Sequence, residues 1–221
     1  MADKKPKIVI IIGRSGCGKG TQAKLLIKEF GFEYLGSGDL LRKRSKKDDF
    51  SGNKIKQVLN HGKRIPTPIM FRIWAEKIEQ MKDEINKKGL IADGNPRSLR
   101  EAELMNDAFK WYEWEDMKVV LVDISAKEAF DRLTKRRICK ECGRLIPWVG
   151  DFKKIKECDK CGGELITRDD DNIEAIEARL DYYTKDVEPA IDYYEKQGKL
   201  IKVNGEKSIE DVYYDIKKAI E

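Results

Sequence analysis

Residues 13–21 read GRSGCGKGT. Glycines at 13, 16 and 18 let a backbone turn tightly and aim successive N–H groups at one point, a geometry that suits phosphate oxygens. Lys19 adds an ammonium that can sit between terminal phosphates. The general form of such a loop has Ser or Thr directly after the lysine. Here Gly20 takes that place and Thr21 follows. Gly16, Cys17, Gly18, Lys19, Gly20 and Thr21 are therefore candidate contacts to a bound triphosphate. The plain alternative is a glycine-rich turn with no ligand.

The cysteines carry a second chemistry. Cys139-x2-Cys142 and Cys158-x2-Cys161 are separated by fifteen residues. Two such knuckles can converge as four thiolates around one ion. Zinc is expected first, with iron as the competitor for four thiolates. With every position filled by protein, the metal has no open site and its role is structural. A short insertion buries little core of its own, and a metal replaces that core. Cys17 reads as a small loop residue, with a redox-sensitive thiol as the alternative. His61, the single histidine, cannot build a metal site alone and reads as a helix-end residue.

Arg42, Arg97, Arg132, Arg136, Arg168 and Arg179 form a third group. Phosphoryl transfer needs positive charge around a group whose own charge spreads over several oxygens. Taken singly, each arginine fits a solvated surface as well.

These residues need a scaffold, and the pattern supplies one. Residues 7–12 read as a buried strand stopped by Gly13, and a helix follows over 19–30. A short strand leads into a basic helix over 33–47. Helices are expected over 51–61 and 68–87, with Pro66 and Pro68 between them. Residues 89–93 read as a buried strand, 99–110 as a helix, 118–124 as a strand and 126–137 as a helix. Residues 138–168 break the rhythm. One long helix is expected over 172–196, kinked at Pro189, then a strand over 199–203 and a helix over 207–220. Strands alternating with helices argue for an α/β parallel sheet flanked by helices. Ligands of such sheets bind beyond the carboxyl ends of the strands, where Gly13, Asp93 and Asp123 fall.

The chain has 221 residues, enough for one core with small insertions. Charged residues make up 38% and the net charge is +5. The two signs interleave, which fits a solvated surface and argues little for polyanion binding. The charged opening, MADKKPK, does not read as a leader, and the apolar run after it is far too short to span a membrane. Paired cysteines with metal spacing suit a reducing compartment. The expectation is a soluble, cytoplasmic protein.

Four motifs recur together in a known family. GKGTQA at 18–23, SGDLLR at 37–42, DG-x-PR at 93–97, and Arg136-Arg137 followed by the paired cysteines resemble the adenylate kinase family. The match is collinear from about residue 7 to the end of the chain. In that family the lysine is followed by Gly-Thr, as Lys19 is here. The resemblance implies a P-loop core of three layers over 1–36, 66–135 and 172–221. It also implies a small helical insertion for a nucleoside monophosphate over 37–65, and a zinc-ribbon-like lid over 136–171. It implies transfer of the terminal phosphoryl group of Mg-ATP to a monophosphate by a monomer. Lys19, Asp93, Arg97, Arg136, Arg168 and Arg179 would be catalytic, with Asp93 holding Mg2+ through water. Residues 16–21 with Arg132, Arg136 and Lys202 would hold ATP, Arg132 lying against its base. Ser37, Arg42, Lys63, Ile65, Gly94, Arg97, Glu101, Arg168 and Arg179 would hold the acceptor. Asp170 and Asp171 match a pair at the hinge after the lid.

The chain departs from the family at three places. Asn95 stands where phenylalanine is usual, and Glu101 where glutamine is usual. Ile146-Pro147 replaces a Tyr-His in the lid. A carboxylate only accepts hydrogen bonds. Glu101 therefore suits the donor edge of guanine, or the amine of cytosine, better than adenine N1. AMP stands first as acceptor, with GMP or CMP as the alternative. A zinc-ribbon ATPase stimulated by nucleic acid and a non-enzymatic nucleotide sensor are the rivals from other classes.

Overall fold

The computed structural model describes residues 5–114 and 116–221. Residues 1–4, on which part of the leader reading and the start of the 1–36 segment rest, lie outside the described residues. Strands and helices are numbered in chain order.

β1 (Ile8–Ile12) has five apolar residues, all buried. Side chains alternate across a strand. Ile8, Ile10 and Ile12 thus enter one core cluster, and Val9 and Ile11 enter the other. A strand buried on both faces belongs inside a parallel sheet covered on both sides. β1 pairs in parallel with β3 (Leu90–Asp93) and β4 (Met117–Asp123). β2 (Glu33–Gly36) adds beyond β3, and β8 (Leu200–Asn204) beyond β4. The order is β2-β3-β1-β4-β8.

One face is covered by α4 (Thr67–Lys88), α5 (Leu99–Trp111) and α8 (Glu188–Lys196), through residues such as Trp74, Ile78, Phe109 and Tyr194. The other is covered by α1 (Lys19–Phe30), α6 (Ala126–Lys135) and α9 (Ile209–Ile220), through Leu26, Ala129 and Ile216. Burying a large apolar side chain such as Ile78, Leu26 or Ile216 contributes about 1.5–3 kcal/mol. This is the three-layer α/β arrangement that the alternation predicts.

Two segments stand apart from the sheet. α2 (Ser37–Arg44) and α3 (Phe50–Asn60) lie between β2 and α4. Between α6 and the next long helix, β5 (Arg137–Cys139), β6 (Leu145–Ile146) and β7 (Leu165–Ile166) form a small antiparallel sheet in the order β6-β5-β7.

Two expectations need correction. The helix predicted over 126–137 ends at Lys135. Arg136 is extended, and Arg137 already pairs with Ile146, so the ladder of the small sheet replaces the last helical turn. The long helix predicted over 172–196 is interrupted. α7 (Ile173–Tyr182) passes into a wide π-helical turn at Tyr183–Val187 before α8 begins. Pro189 has no N–H for the carbonyl four residues back, and its ring crowds that carbonyl, so the turn before it widens. Among the described residues, no helix is long and apolar enough to cross a membrane.

Candidate active site

α1 begins at Lys19 with no side-chain cap, whereas Asp49, Ser98, Ser125, Asn172 and Ser208 cap α3, α5, α6, α7 and α9. Its first N–H groups are thus left for another acceptor, and the positive end of a helix suits an anion. Gly13 lets the loop lie against β4, since a Cβ there would fall 2.4 Å from the Val122 carbonyl oxygen. The Lys19 ammonium folds back on the loop, donating to the carbonyls of Gly13 at 2.8 Å and Arg14 at 2.9 Å.

The residue after that lysine now has a steric reason. A Cβ at Gly20 would lie 3.2 Å from Asp93 Oδ2. Gly20 lets the Asp93 carboxylate reach the start of α1. Burial pushes the Asp93 carboxyl up; Lys19, the Tyr34 hydroxyl and Arg97 oppose that. Tyr34 Oη lies 3.0 Å from Asp93 Oδ2 and 3.2 Å from Asp39 Oδ2, one proton facing two carboxylates. The loop, the end of β3 and α7 enclose a cleft lined by Gly13, Lys19, Gly94, Arg97, Arg179 and Tyr182 among others.

Beside this cleft three of the predicted arginines meet two aspartates. Asp171, buried, accepts from Arg136 Nε at 2.7 Å and Nη2 at 2.6 Å, and from Arg179 Nη2 at 2.8 Å. Arg168 makes a two-pronged ion pair with Asp170. Burial alone would raise Asp170, but the Arg168 pair outweighs it and brings the carboxyl down to about 2. Asp171 is likewise raised by burial and lowered further by Arg136. Carboxyls depressed by folding stabilise the fold above the ordinary carboxylate range and lose that effect as pH falls towards 2. Asp171→Asn leaves two guanidiniums without their shared counter-charge. It should cost about 3 kcal/mol, by analogy with broken buried pairs, and flatten the loss of stability below about pH 4. Urea titrations at pH 7 and pH 3 check both.

Other predicted residues scatter around the cleft. Ser37 is buried, donating to the Asp93 carbonyl at 3.1 Å and to Asn95 Oδ1, so Asn95 finds a polar partner in place of an aromatic contact. The Asn95–Pro96 bond is cis. Arg42 pairs with Asp39 at 2.6 Å. Arg97 donates from Nε to the Gly94 carbonyl at 2.9 Å and from Nη1 to Tyr182 Oη at 3.3 Å. Lys63, exposed, and Ile65, buried, lie in the turn between α3 and α4. His61 ends α3, as expected. Arg132 is buried, donating to Glu128 at 2.6 Å and to the Gly205 carbonyl at 3.1 Å. The Lys202 ammonium is on the surface, 2.7 Å from Glu195.

Glu101, read in the sequence as a contact to the acceptor base, is already engaged within the protein. It is 3% exposed. Oε2 accepts the Arg97 backbone N–H at 2.8 Å, and Oε1 lies 3.4 Å from Arg64 Nη1. Burial pushes this carboxyl up, and the Arg97 N–H and the two arginines oppose it.

The four paired cysteines converge, their sulfurs all within 4.8 Å of one another. Cys139 Sγ lies 3.5 Å from Cys161 Sγ, and Cys142 Sγ 3.6 Å from Cys158 Sγ. A tetrahedron with metal–sulfur bonds of about 2.3 Å has edges of about 3.8 Å, so the donor set fits a zinc ion. The Cys142 N–H helps draw the Cys139 thiol down to about 7. The fifth, Cys17, is buried beside Lys19.

Three residues escaped the sequence reading: Tyr34, Arg64 and Arg14. Arg14 spans Asp123, Glu188 and the Ile124 carbonyl and lies 4.3 Å over the Tyr183 ring. None of the three had a signal in the sequence, since their partners lie far along the chain and burial chooses them.

An uncapped helix behind a glycine loop, facing a carboxylate and an arginine cluster at the carboxyl ends of parallel strands, is built to hold and transfer phosphoryl groups. Such a chain is a P-loop phosphotransferase. Comparison with known proteins narrows the class. The family model described as adenylate kinase matches residues 11–199. An adenylate kinase of Caldanaerobacter subterraneus subsp. tengcongensis is 36% identical over 96% of this chain and 95% of its own. Those of Methanocella arvoryzae and Archaeoglobus fulgidus are 36% and 37% identical, each over 96% of this chain and 97% of its own. The chain belongs to the adenylate kinase family.

Proposed function

We propose that this protein is a nucleoside monophosphate kinase that reversibly transfers the terminal phosphoryl group of Mg-ATP to AMP, giving two ADP. The observation that carries it is the cleft beside the loop, which Lys19, Arg97 and Arg179 line together. An acceptor phosphate oxygen attacks the terminal phosphorus, and the bond to the bridging oxygen breaks. No protein nucleophile is needed, and Cys17 takes no covalent part.

Residues 16–21 and the start of α1 hold the donor phosphates, with Lys19 between the outer two. Arg132 and Lys202 border the donor side. Mg2+ bound with ATP supplies charge on the phosphates, and Asp93 would hold it through water, an oxygen donor suited to a hard cation. Arg42 and Arg97 grip the acceptor phosphate, near Ser37, Lys63, Ile65 and Gly94. Arg136, Arg168 and Arg179 neutralise the group in flight. The aspartates that now hold them keep the cluster ordered before substrate enters. Residues 37–65 and 136–171 would close over a core made of 1–36, 66–135 and 172–221. Closure excludes water that would otherwise accept the phosphoryl group, as is known for adenylate kinase lids. A structural zinc ion would hold the lid through Cys139, Cys142, Cys158 and Cys161. The reading extends to a cytoplasmic monomer, where thiols stay reduced.

Glu101 gives GMP and CMP no advantage, because both its oxygens have partners within the protein. With Mg-ATP and a panel of AMP, GMP, CMP and UMP, AMP should be phosphorylated at least about tenfold faster than the others, a modest 1.4 kcal/mol of discrimination. Transfer to none of the four would sink the kinase reading. ATP loss driven by nucleic acid, without any monophosphate, would favour an ATPase.

A further inference from the structure

Arg64 and Glu101 form an ion pair that none of the roles above uses. Arg64 sits in the turn between α3 and α4. From Nη1 it donates to Thr67 Oγ1 at 3.0 Å and Ser98 Oγ at 3.3 Å, and it lies 3.4 Å from Glu101 Oε1. Its Nη2 is 3.7 Å from Asp186. One guanidinium therefore joins the first turn of α4, the cap of α5 and the wide turn before α8. Glu101 is the only acid in this set that is buried. Its second oxygen accepts the Arg97 backbone N–H. The Arg97 side chain is aimed by the Gly94 carbonyl and Tyr182 Oη into the cleft. A chain of contacts thus runs from Arg64 through a buried carboxylate to the backbone of the arginine that faces the acceptor.

We propose that Arg64 is a positioning residue for the acceptor: by anchoring Glu101 it holds the Arg97 backbone and sets where the Arg97 guanidinium meets the acceptor phosphate. This rests on the kinase reading above. Without Arg64, the buried Glu101 carboxylate loses its ion-pair partner, keeps only the charge of Arg97 in its favour, and is pushed towards taking up a proton or turning towards water. Turning towards water takes Oε2 off the Arg97 N–H, and protonation replaces a charge-assisted hydrogen bond there with a weaker neutral one. Among the described residues, the side-chain bonds of the donor loop's Arg14 and Lys19 go to groups other than Arg64, Glu101 and Arg97, so the effect should fall mainly on one substrate. A glutamine at 101 keeps an amide oxygen for the Arg97 N–H and needs no cation. Loss of Arg64 should then be largely harmless in a Glu101→Gln background.

Steady-state kinetics in both substrates test this with Arg64→Leu, Glu101→Gln and the double variant. Arg64→Leu should raise the KM for AMP about tenfold, the scale of one lost charged hydrogen bond, with the KM for ATP unchanged. Added to Glu101→Gln, Arg64→Leu should change the KM for AMP by less than about threefold relative to Glu101→Gln alone, the non-additivity expected of residues in contact. Equal rises in both KM values, no rise for AMP, or a rise as large in the Glu101→Gln background would overturn the proposal. Should Arg64→Leu not accumulate as folded protein, Arg64→Lys takes its place, with a rise for AMP alone expected and an unaltered KM refuting. Inactivity of the wild type towards every monophosphate would overturn both readings; an active wild type indifferent to Arg64 overturns this one alone.

Discussion

Lys19→Met should lower kcat by about a thousandfold, the usual loss when one preorganised charge is removed from a transition state, and leave the fold intact. Methionine matches the length of the lysine stem, and the ammonium's partners in the loop are carbonyls of Gly13 and Arg14 that water can satisfy. No neighbour can take over its charge. Arg14, the nearest other cation in the loop, is committed to Asp123, Glu188 and the Ile124 carbonyl. The arginines across the cleft are held by their own partners. The loss should appear mainly in kcat, because a charge placed where phosphoryl charge develops acts most strongly in the transition state. Single-turnover rates and a melting curve check it. A fall of less than about tenfold would remove Lys19 from the transition state.

The second large effect is expected at the cysteines. Cys158→Ser should abolish stoichiometric zinc binding and lower the melting temperature by about 10 °C, a few kcal/mol for a chain of this size. The small sheet shows why. Its strands have three, two and two residues, and its only buried residues besides cysteine come down to Ile146. Such a sheet cannot hold itself together, so the metal takes the place of a core. Its tether to the rest of the molecule includes Arg136 and Asp171, which the loss of metal leaves in place. Some activity should therefore survive at low temperature. Zinc content by atomic absorption is the decisive measurement, and an unchanged value would refute the four-thiolate site.

Much of the molecule was legible in the residues themselves, and the reasons are local. The strand, loop and first helix are contiguous, so apolar run, glycines and lysine announce one another within about two dozen residues. The cysteine knuckles are equally local, since spacing alone lets sulfurs converge. Other features resisted. The wide turn at 183–187 could be read only as a kink at Pro189, because sequence shows the missing N–H but not how neighbouring turns absorb it. The end of α6 was misplaced because the competing strand partner, Ile146, comes from another hairpin.

The sequence by itself determined the chemistry available: a phosphate loop, a four-thiolate metal site and arginines enough for phosphoryl transfer, on an alternating α/β scaffold. Tertiary structure decided which charges meet. Asp171 gathers Arg136 from 35 residues away, Tyr34 reaches Asp93 across 59, and Glu101 is answered by Arg64 across 37. With 45 lysines and arginines in the chain, residue type cannot say which one neutralises a buried carboxylate. Burial makes that choice, since only inside the fold is an unpaired charge costly enough to select its partner. Glu101 shows the consequence: a residue that reads as a base-recognition group becomes, once its neighbours are in place, part of the support beneath Arg97.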